Sequence, residues 1–418
     1  MDFTKKRWIT LAACCLINLC IGSLYAWSVF ATPLAEHLNA VQGTDSYDAG
    51  ALAIVFTLSN ALGPITMISG GFITNKLGPQ KVILLGGVLC GAGMFLTGFA
   101  SSKGMLLVTY GLLCGLGVGL AYGCTVGNVV KSFPDKRGLV GGVSTASYGI
   151  SSVIVPFIAR PMIEASGVSA TFRVLGVAFF VIIIGASFLV LSAPAGFVPT
   201  GWKPPVSTGV KREDKNWKQM LADPTFYLMI VMMTCGAVAG MMNISQASPI
   251  AQNMLGMSTT AAATVVSVLA LFNVSGRILA GTASDKMGRI PTLMCSFALS
   301  IIGLLLLVLS ASAGVAVFYI GIALVGLCFG ALMGIFPGFT ADQFGLKYNN
   351  INYGIMFIGF AFAGYVGPNV MKSIYASSGA YTGAFLFAAA LNAVGLALSV
   401  IWRFTVDKSA RKQPSRKK

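Results

Sequence analysis

The chain has 418 residues, of which 56% are hydrophobic and only 10% are charged. A soluble protein would carry about 25% charged residues, so the composition excludes an ordinary soluble fold. The formal net charge of +16 could indicate nucleic-acid binding, but most Lys and Arg residues lie between long apolar stretches. That placement follows the positive-inside rule of membrane proteins, and we expect no nucleic-acid partner.

The apolar stretches predict an all-α membrane protein with twelve transmembrane helices. A membrane-spanning helix needs about 20 apolar residues, roughly twice the length of a barrel strand. Both termini are expected in the cytosol, because this orientation of a multi-pass protein in the cell membrane places most basic residues inside. The predicted spans are Trp8–Ala35, Gly50–Thr74, Lys81–Ala100, Met105–Lys131, Gly138–Ala165, Ala170–Ser192, Phe226–Ala251, Ser258–Ala283, Pro291–Ala311, Val315–Ala341, Ile351–Ser377 and Tyr381–Phe404.

The two halves of the chain repeat a sequence pattern. Gly71–Gly78 and Gly281–Gly288 both read G-x-x-x-[DN]-K-x-G and lie 210 residues apart (281 − 71). Glycines also recur at every fourth residue in predicted spans four and ten, which lets another helix approach closely. Internal duplication of this kind is typical of secondary transporters. The predicted organisation is an N-terminal six-helix bundle (1–193), a cytosolic linker (194–224), a C-terminal six-helix bundle (225–405) and a basic cytosolic tail (406–418) that contacts anionic lipid.

The two repeated loops and several further segments of the chain resemble the major facilitator superfamily, and within it the oxalate/formate antiporter and monocarboxylate transporter families. The resemblance implies two pseudo-symmetric six-helix bundles, a substrate site near the midplane between them, and transport by alternating access. An enzyme is not expected, and the chain has no phosphate-binding loop for ATP. Besides the two repeated loops, the segments that carry the resemblance are Tyr25–Ser28, Phe133–Leu139, Gly276–Arg277 and Asn352–Gly354.

Arg277 is the one charged residue in the apolar stretch Ser258–Ala283. A cation in mid-membrane costs at least about 2.5–3.5 kcal/mol, so such residues usually face the bundle interior. A guanidinium matches a carboxylate bidentately, and we expect Arg277 to bind an anionic substrate. The alternatives are that it snorkels to the cytosolic interface or pairs with Asp285. The resemblance implies the substrate role, because the relatives carry their carboxylate-binding arginine at this point of span eight.

Asn273 lies one turn before Arg277 and is predicted to bind substrate or orient the arginine, with a simple interhelical contact as the alternative. The resemblance implies an aspartate here in animal monocarboxylate transporters, where it serves proton coupling; asparagine cannot titrate. At Phe360 the resemblance implies a lysine in oxalate transporters. One intramembrane cation then remains, which favours a monocarboxylate such as lactate, pyruvate or formate. Further substrate-binding candidates, each of which could instead only pack the core, are Tyr25, Tyr122, Tyr148, Phe329, Met333 and Phe357.

Charged and polar residues at the cytosolic helix ends are predicted to gate the pathway, although the basic ones could serve only topology. They are Asn75, Lys76, Asp285, Lys286, Arg289 and Asp342. The resulting prediction is proton-coupled monocarboxylate transport by a functional monomer, with a small organic anion, a proton and membrane lipid as partners and without cofactor or metal. The alternatives are oxalate/formate-type exchange, transport of another solute, and a receptor or scaffold that transports nothing.

Overall fold

The computed structural model describes residues 2–194, 196–202 and 214–412. Residues 195 and 203–213 of the predicted linker, and residues 413–418 of the basic tail, therefore lie outside the described residues. The described residues form helices, joined by short loops, and contain no strand. The α-helices are α1 Phe3–Ile21, α2 Trp27–Gln42, α3 Ala53–Leu77, α4 Pro79–Thr97, α5 Lys103–Leu106, α6 Gly115–Ser132, α7 Arg137–Ser187, α8 Trp217–Leu221, α9 Pro224–Leu255, α10 Thr259–Met287, α11 Arg289–Ala313, α12 Val315–Phe344, α13 Asn349–Ser378 and α14 Thr382–Lys412.

Eleven helical segments of the described chain are long and apolar enough to cross a membrane. One of them, α7, has 51 residues, or about 75 Å at roughly 1.5 Å per residue. The hydrocarbon core of a bilayer is only about 30 Å thick. Gly167 breaks α7 with a φ of 79°, so α7 accounts for two of the predicted spans. The eleven segments thus contain the twelve predicted spans, although their ends differ by several residues.

The chain divides into two compact units. The first contains Met1–Phe133, Ser147–Phe197 and Tyr353–Ile355. The second contains Pro134–Ala146, Val198–Asn352 and Met356–Lys418. This grouping departs from chain order in two places. In particular, the first turns of α7 belong with the second unit.

Within each unit, a glycine-lined helix lies against the helix that bears the repeated loop. In the first unit, a Cβ on Gly115 of α6 would lie 2.8 Å from the Cα of Ser59 in α3. In the second unit, a Cβ on Gly330 of α12 would lie 1.9 Å from the carbonyl oxygen of Asn273 in α10. Only glycine permits backbones to approach this closely. The glycine pattern in the sequence therefore predicted these two seams correctly.

The same duplication is visible at two helix junctions. Gly78 joins α3 to α4 with φ 82° and ψ 164°, and Gly288 joins α10 to α11 with φ 95° and ψ 157°. Positive φ is readily adopted only by glycine. Two equivalent loops thus use the same backbone conformation 210 residues apart (288 − 78).

The end of the linker is fixed to the second unit. The backbone N–H of Lys215 donates to the carbonyl of Phe344, and the amide of Asn352 donates to the carbonyl of Lys215, both at 2.9 Å. The Lys215 ammonium pairs with Asp223, which caps α9 through Thr225. Burial opposes ionisation of Asp223, but Lys215 and the hydrogen bonds from Thr225 outweigh it and hold the pKa of this carboxyl below its usual value.

Candidate functional site

Arg277 lies inside the second unit, on α10, and is only 2% exposed. Its Nε donates to Oδ1 of Asn273 at 3.0 Å, and its Nη1 donates to the carbonyl oxygen of Thr145 at 2.6 Å. Both acceptors are neutral. In the part of the chain that the structure describes, no carboxylate pairs with Arg277, and Asp285 pairs with Arg289 at 2.9 Å instead. Neither alternative for Arg277, snorkelling or pairing with Asp285, is therefore observed.

The bond to Arg277 fixes the orientation of the Asn273 amide. A guanidinium has no acceptor, so the atom of Asn273 that faces it must be the oxygen. The amide Nδ2 is then at the other end of the group. Among the described residues, neither this Nδ2 nor Nη2 of Arg277 has a protein acceptor. The two side chains consequently offer hydrogen-bond donors and one positive charge, which is the chemistry that recognises an anion.

Glycines of two other helices hold the backbone of Arg277 in place. A Cβ on Gly142 of α7 would lie 2.2 Å from its carbonyl oxygen, and one on Gly334 of α12 would lie 2.1 Å from the same atom. Thr145, fully buried on α7, donates its hydroxyl to the carbonyls of Gly142 at 3.2 Å and Met333 at 3.4 Å. The site is therefore built where α7, α10 and α12 pack without intervening side chains.

Thr145 was missed by the sequence reasoning, because it acts through its backbone. The available signal was the small-residue spacing of Gly142 and Thr145, which places both on one face of a helix. Met333, a predicted site residue, does lie beside Thr145 through its carbonyl.

The three predicted phenylalanines form one apolar cluster in the second unit. The rings of Phe357 and Phe360 stack with centroids 4.6 Å apart, and Phe329 lies 5.9 Å from Phe360. Phe329 also covers Gly240 of α9, where an added Cβ would lie 2.1 Å from the ring. Phe360, where the resemblance implies a lysine in oxalate transporters, thus lies between two other aromatic rings.

The three predicted tyrosines form a cluster in the first unit. Tyr148 contacts the edge of Tyr25 with centroids 5.0 Å apart and is tilted against Tyr122 at 4.8 Å. Tyr122 and Tyr148 are buried. The structure therefore brings these residues together, as three neighbouring phenol groups on α6, α7 and the 3-10 turn Gly22–Ala26 that follows α1.

Charged residues from four helix ends form an ion-pair cluster in the second unit. Asp342 of α12 accepts hydrogen bonds from Arg137 and, at 2.7 Å, from Arg289. Asp285 of α10 pairs with Arg289. It also accepts hydrogen bonds from the backbone N–H groups of Gly138 and Leu139, at 2.7 and 2.8 Å. A carboxylate at a helix N-terminus is stabilised by the helix dipole, so Asp285 also caps α7.

The predicted gating residues divide between this cluster and the exposed surface. Asp285, Arg289 and Asp342 come together, and Arg137, which was not predicted, joins them. The structure does not bring Asn75, Lys76 or Lys286 into the cluster. Their side chains are exposed at the ends of α3 and α10, and their gating role stays a prediction.

Known membrane transporters are similar to the chain along most of its length. An uncharacterized MFS-type transporter of Escherichia coli (strain K12), YhjX, is 31% identical over 86% of this chain and 86% of its own. The oxalate:formate antiporter of Oxalobacter formigenes is 28% identical over 97% of this chain and 93% of its own. Monocarboxylate transporter 12 of Rattus norvegicus is 22% identical over 91% and 82%.

A solved transporter structure is similar to the chain in fold. The crystal structure of FucP, a major facilitator superfamily transporter in the outward conformation, matches with a TM-score of 0.71 over 95% of this chain and 99% of FucP. At 14% identity this likeness shows the fold alone. The Major Facilitator Superfamily profile matches residues 11–368 and 239–418. The predicted fold class is therefore confirmed, and the chain belongs to the major facilitator superfamily of multi-pass membrane transporters.

Proposed function

We propose that the protein is a secondary active transporter that moves a small monocarboxylate, of the lactate, pyruvate or formate class, by alternating access. The observation that carries the proposal is the buried Arg277, whose protein partners are both neutral. A charge removed from water is costly unless an opposite charge accompanies it. One bound carboxylate would supply that charge, with Asn273 Nδ2 as a further donor.

The surroundings favour a singly charged substrate. Arg277 balances one carboxylate, and the cluster around Phe360 is apolar, so the second carboxylate of a dianion would remain uncompensated. The same cluster suits a substrate with an apolar end. The names of two relatives, an oxalate:formate antiporter and a monocarboxylate transporter, both describe carboxylates and support this class.

A second candidate function is oxalate/formate-type anion exchange. The observation that favours it is the identity of 28% to the oxalate:formate antiporter, against 22% to monocarboxylate transporter 12. The two candidates use Arg277 in the same way and differ in the substrate and in what drives uptake.

Gating is proposed for the ion-pair cluster of Arg137, Asp285, Arg289 and Asp342. With both termini in the cytosol, these helix ends lie on the cytosolic side. Breaking the cap that Asp285 places on α7 would free the start of that helix. Proton coupling is proposed to act through the substrate or water, because no described carboxylate adjoins Arg277.

The test is uptake of labelled lactate and labelled oxalate by reconstituted liposomes, with an inward proton gradient or a trapped counter-anion. We expect the wild type to accumulate lactate when the outside is acid. Arg277→Ala should lose saturable uptake, and Arg277→Lys should retain only part of it, because the charge stays but the planar fork is lost. Arg403→Ala, at an exposed arginine of α14, is the matched control.

Two results would contradict the proposal. Saturable lactate uptake by Arg277→Ala would remove the arginine from the substrate site. Oxalate exchange that ignores the pH gradient, with no lactate uptake, would establish the second candidate instead.

A further inference from the structure

The hydrogen bond between Arg277 and Thr145 joins two helices, and it points to how the unloaded transporter moves. We propose that the carbonyl of Thr145 accepts a hydrogen bond from the Arg277 guanidinium when no substrate is bound. The unloaded carrier can then reorient across the membrane. The protein therefore performs net transport as well as exchange. This inference rests on the proposed function of Arg277 as the carboxylate ligand.

A carrier that returns unloaded must carry Arg277 through a dehydrated state. A buried donor without an acceptor bears the full cost of its desolvation, and a charged donor bears more. When substrate is bound, its carboxylate supplies the acceptors. Thr145 and Asn273 are part of the protein, so they can accept hydrogen bonds from the guanidinium when substrate is absent. A carrier without such acceptors would be confined to exchange.

Thr145, rather than Asn273, is the acceptor whose bond to Arg277 should differ between the unloaded and the substrate-bound carrier. Asn273 lies one turn from Arg277 on the same helix and stays beside it in any rigid movement of α10. The carbonyl of Thr145 comes from α7, at 2.6 Å, which is short for a charge-assisted hydrogen bond. Its position is fixed by the close packing of Gly142 on the Arg277 carbonyl and by the hydroxyl bond to Met333.

The bound substrate would make the Thr145 bond dispensable. A carboxylate that binds Nη2 and the second proton of Nη1 forms two parallel charge-assisted bonds, which are stronger than bonds to a neutral carbonyl. Weakening the Thr145 bond should therefore slow the return of the unloaded carrier and leave the loaded carrier much less affected. Exchange uses only the loaded carrier, whereas net efflux uses both.

Gly142→Ala weakens this bond from a distance. Its Cβ would lie 2.2 Å from the Arg277 carbonyl oxygen, so α7 must move away from α10 and the Thr145 carbonyl moves with it. Gly185→Ala is the matched control, because that glycine lies on α7 with no heavy atom within 4 Å of an added Cβ. Thr145→Val removes the hydroxyl bond to Met333 that helps to fix the carbonyl and leaves the glycine seam untouched, so it replaces Gly142→Ala if that variant does not fold.

The experiment uses liposomes loaded with labelled lactate and measures efflux into medium without anion (net efflux) and into medium with saturating unlabelled lactate (exchange). We expect wild-type net efflux within about ten-fold of exchange. Gly142→Ala should lower net efflux about ten-fold more than exchange, as loss of one charged hydrogen bond implies, and Thr145→Val should change the ratio in the same direction by a smaller factor. Gly185→Ala should leave the ratio unchanged.

The outcomes separate this inference from the proposed function. Wild-type efflux that occurs only with external anion overturns the inference alone, and so does an equal loss of both modes in Gly142→Ala and Thr145→Val. Absence of lactate flux in both modes of the wild type overturns the proposed function itself.

Discussion

Gly330→Ala tests whether the glycine seam between α12 and α10 sets the position of Arg277. An added Cβ would lie 1.9 Å from the carbonyl oxygen of Asn273 and 3.1 Å from the backbone nitrogen of Arg277. Ordinary contact begins at 3.4 Å, so the backbones must separate by about 1.5 Å (3.4 − 1.9). This displacement acts on the helical turn that carries both substrate-binding candidates of α10.

The expected loss of function exceeds the expected loss of stability. Overpacking of a tight interface costs about 1–3 kcal/mol, and the better helix propensity of alanine returns up to about 1 kcal/mol. With the full return, the net loss of unfolding free energy is about 0–2 kcal/mol. A misplacement of about 1 Å in a site can cost roughly 100-fold in rate. We therefore expect lactate uptake at low substrate concentration to fall about 100-fold in a protein that still folds.

Gly364→Ala is the matched control for this prediction. It is the same substitution in α13 of the same unit, at an exposed glycine with no heavy atom within 4 Å of an added Cβ. Here only helix propensity changes, so stability should rise slightly and uptake should be unchanged. The measurements are initial uptake per reconstituted protein and the unfolding temperature in detergent. Wild-type uptake by Gly330→Ala would refute the idea that this seam positions Arg277.

The remaining predictions concern charges. Asp342→Asn removes the anion shared by two arginines and should lower the unfolding free energy by about 1–2 kcal/mol; an unfolding temperature equal to that of Asp45→Asn, in an exposed loop, would contradict this. The lowered pKa of Asp223 means that its charge stabilises the fold above its ordinary pKa and that this contribution is lost as the pH falls through the folded-state value. The unfolding temperature of the wild type should therefore exceed that of Asp223→Asn at pH 7, and the gap should close below about pH 4; a constant gap would contradict it. Asn273→Asp should pair with Arg277, weaken anion binding at neutral pH and restore it on acidification; an unchanged pH profile of KM would refute the pairing.

The sequence predicted the features that depend on local pattern. Twelve spans follow from apolar length alone, and the glycine seams follow from a four-residue period. The burial of Arg277 was also predictable, since a lone charge in an apolar span is expected to face the protein interior. The end of α7 at Ser187 rather than Ser192 was not predictable, because hydropathy reports the apolar part of a helix and not where its hydrogen bonding stops.

The sequence could not predict contacts between residues that lie far apart in the chain. The acceptor Thr145 lies 132 residues from Arg277, and Arg137 lies 205 residues from Asp342. Neither pair leaves a periodic trace, and a backbone carbonyl carries no residue-type signal at all. The predicted pair of Arg277 and Asn273 was accessible because one helical turn separates the two residues.

If Arg277 binds the carboxylate as proposed, its neutral partners determine what must accompany the substrate. With Asn273 and Thr145 as acceptors, the site carries one positive charge when unloaded and none when a monocarboxylate is bound. Net entry of the anion therefore moves one charge, and an inside-negative potential opposes it by about 2.3 kcal/mol per 100 mV. A proton that enters with the substrate cancels that charge, and so does a second anion that leaves in exchange. The two candidate functions, proton-coupled uptake and anion exchange, are thus two ways to balance the charge of the same proposed site.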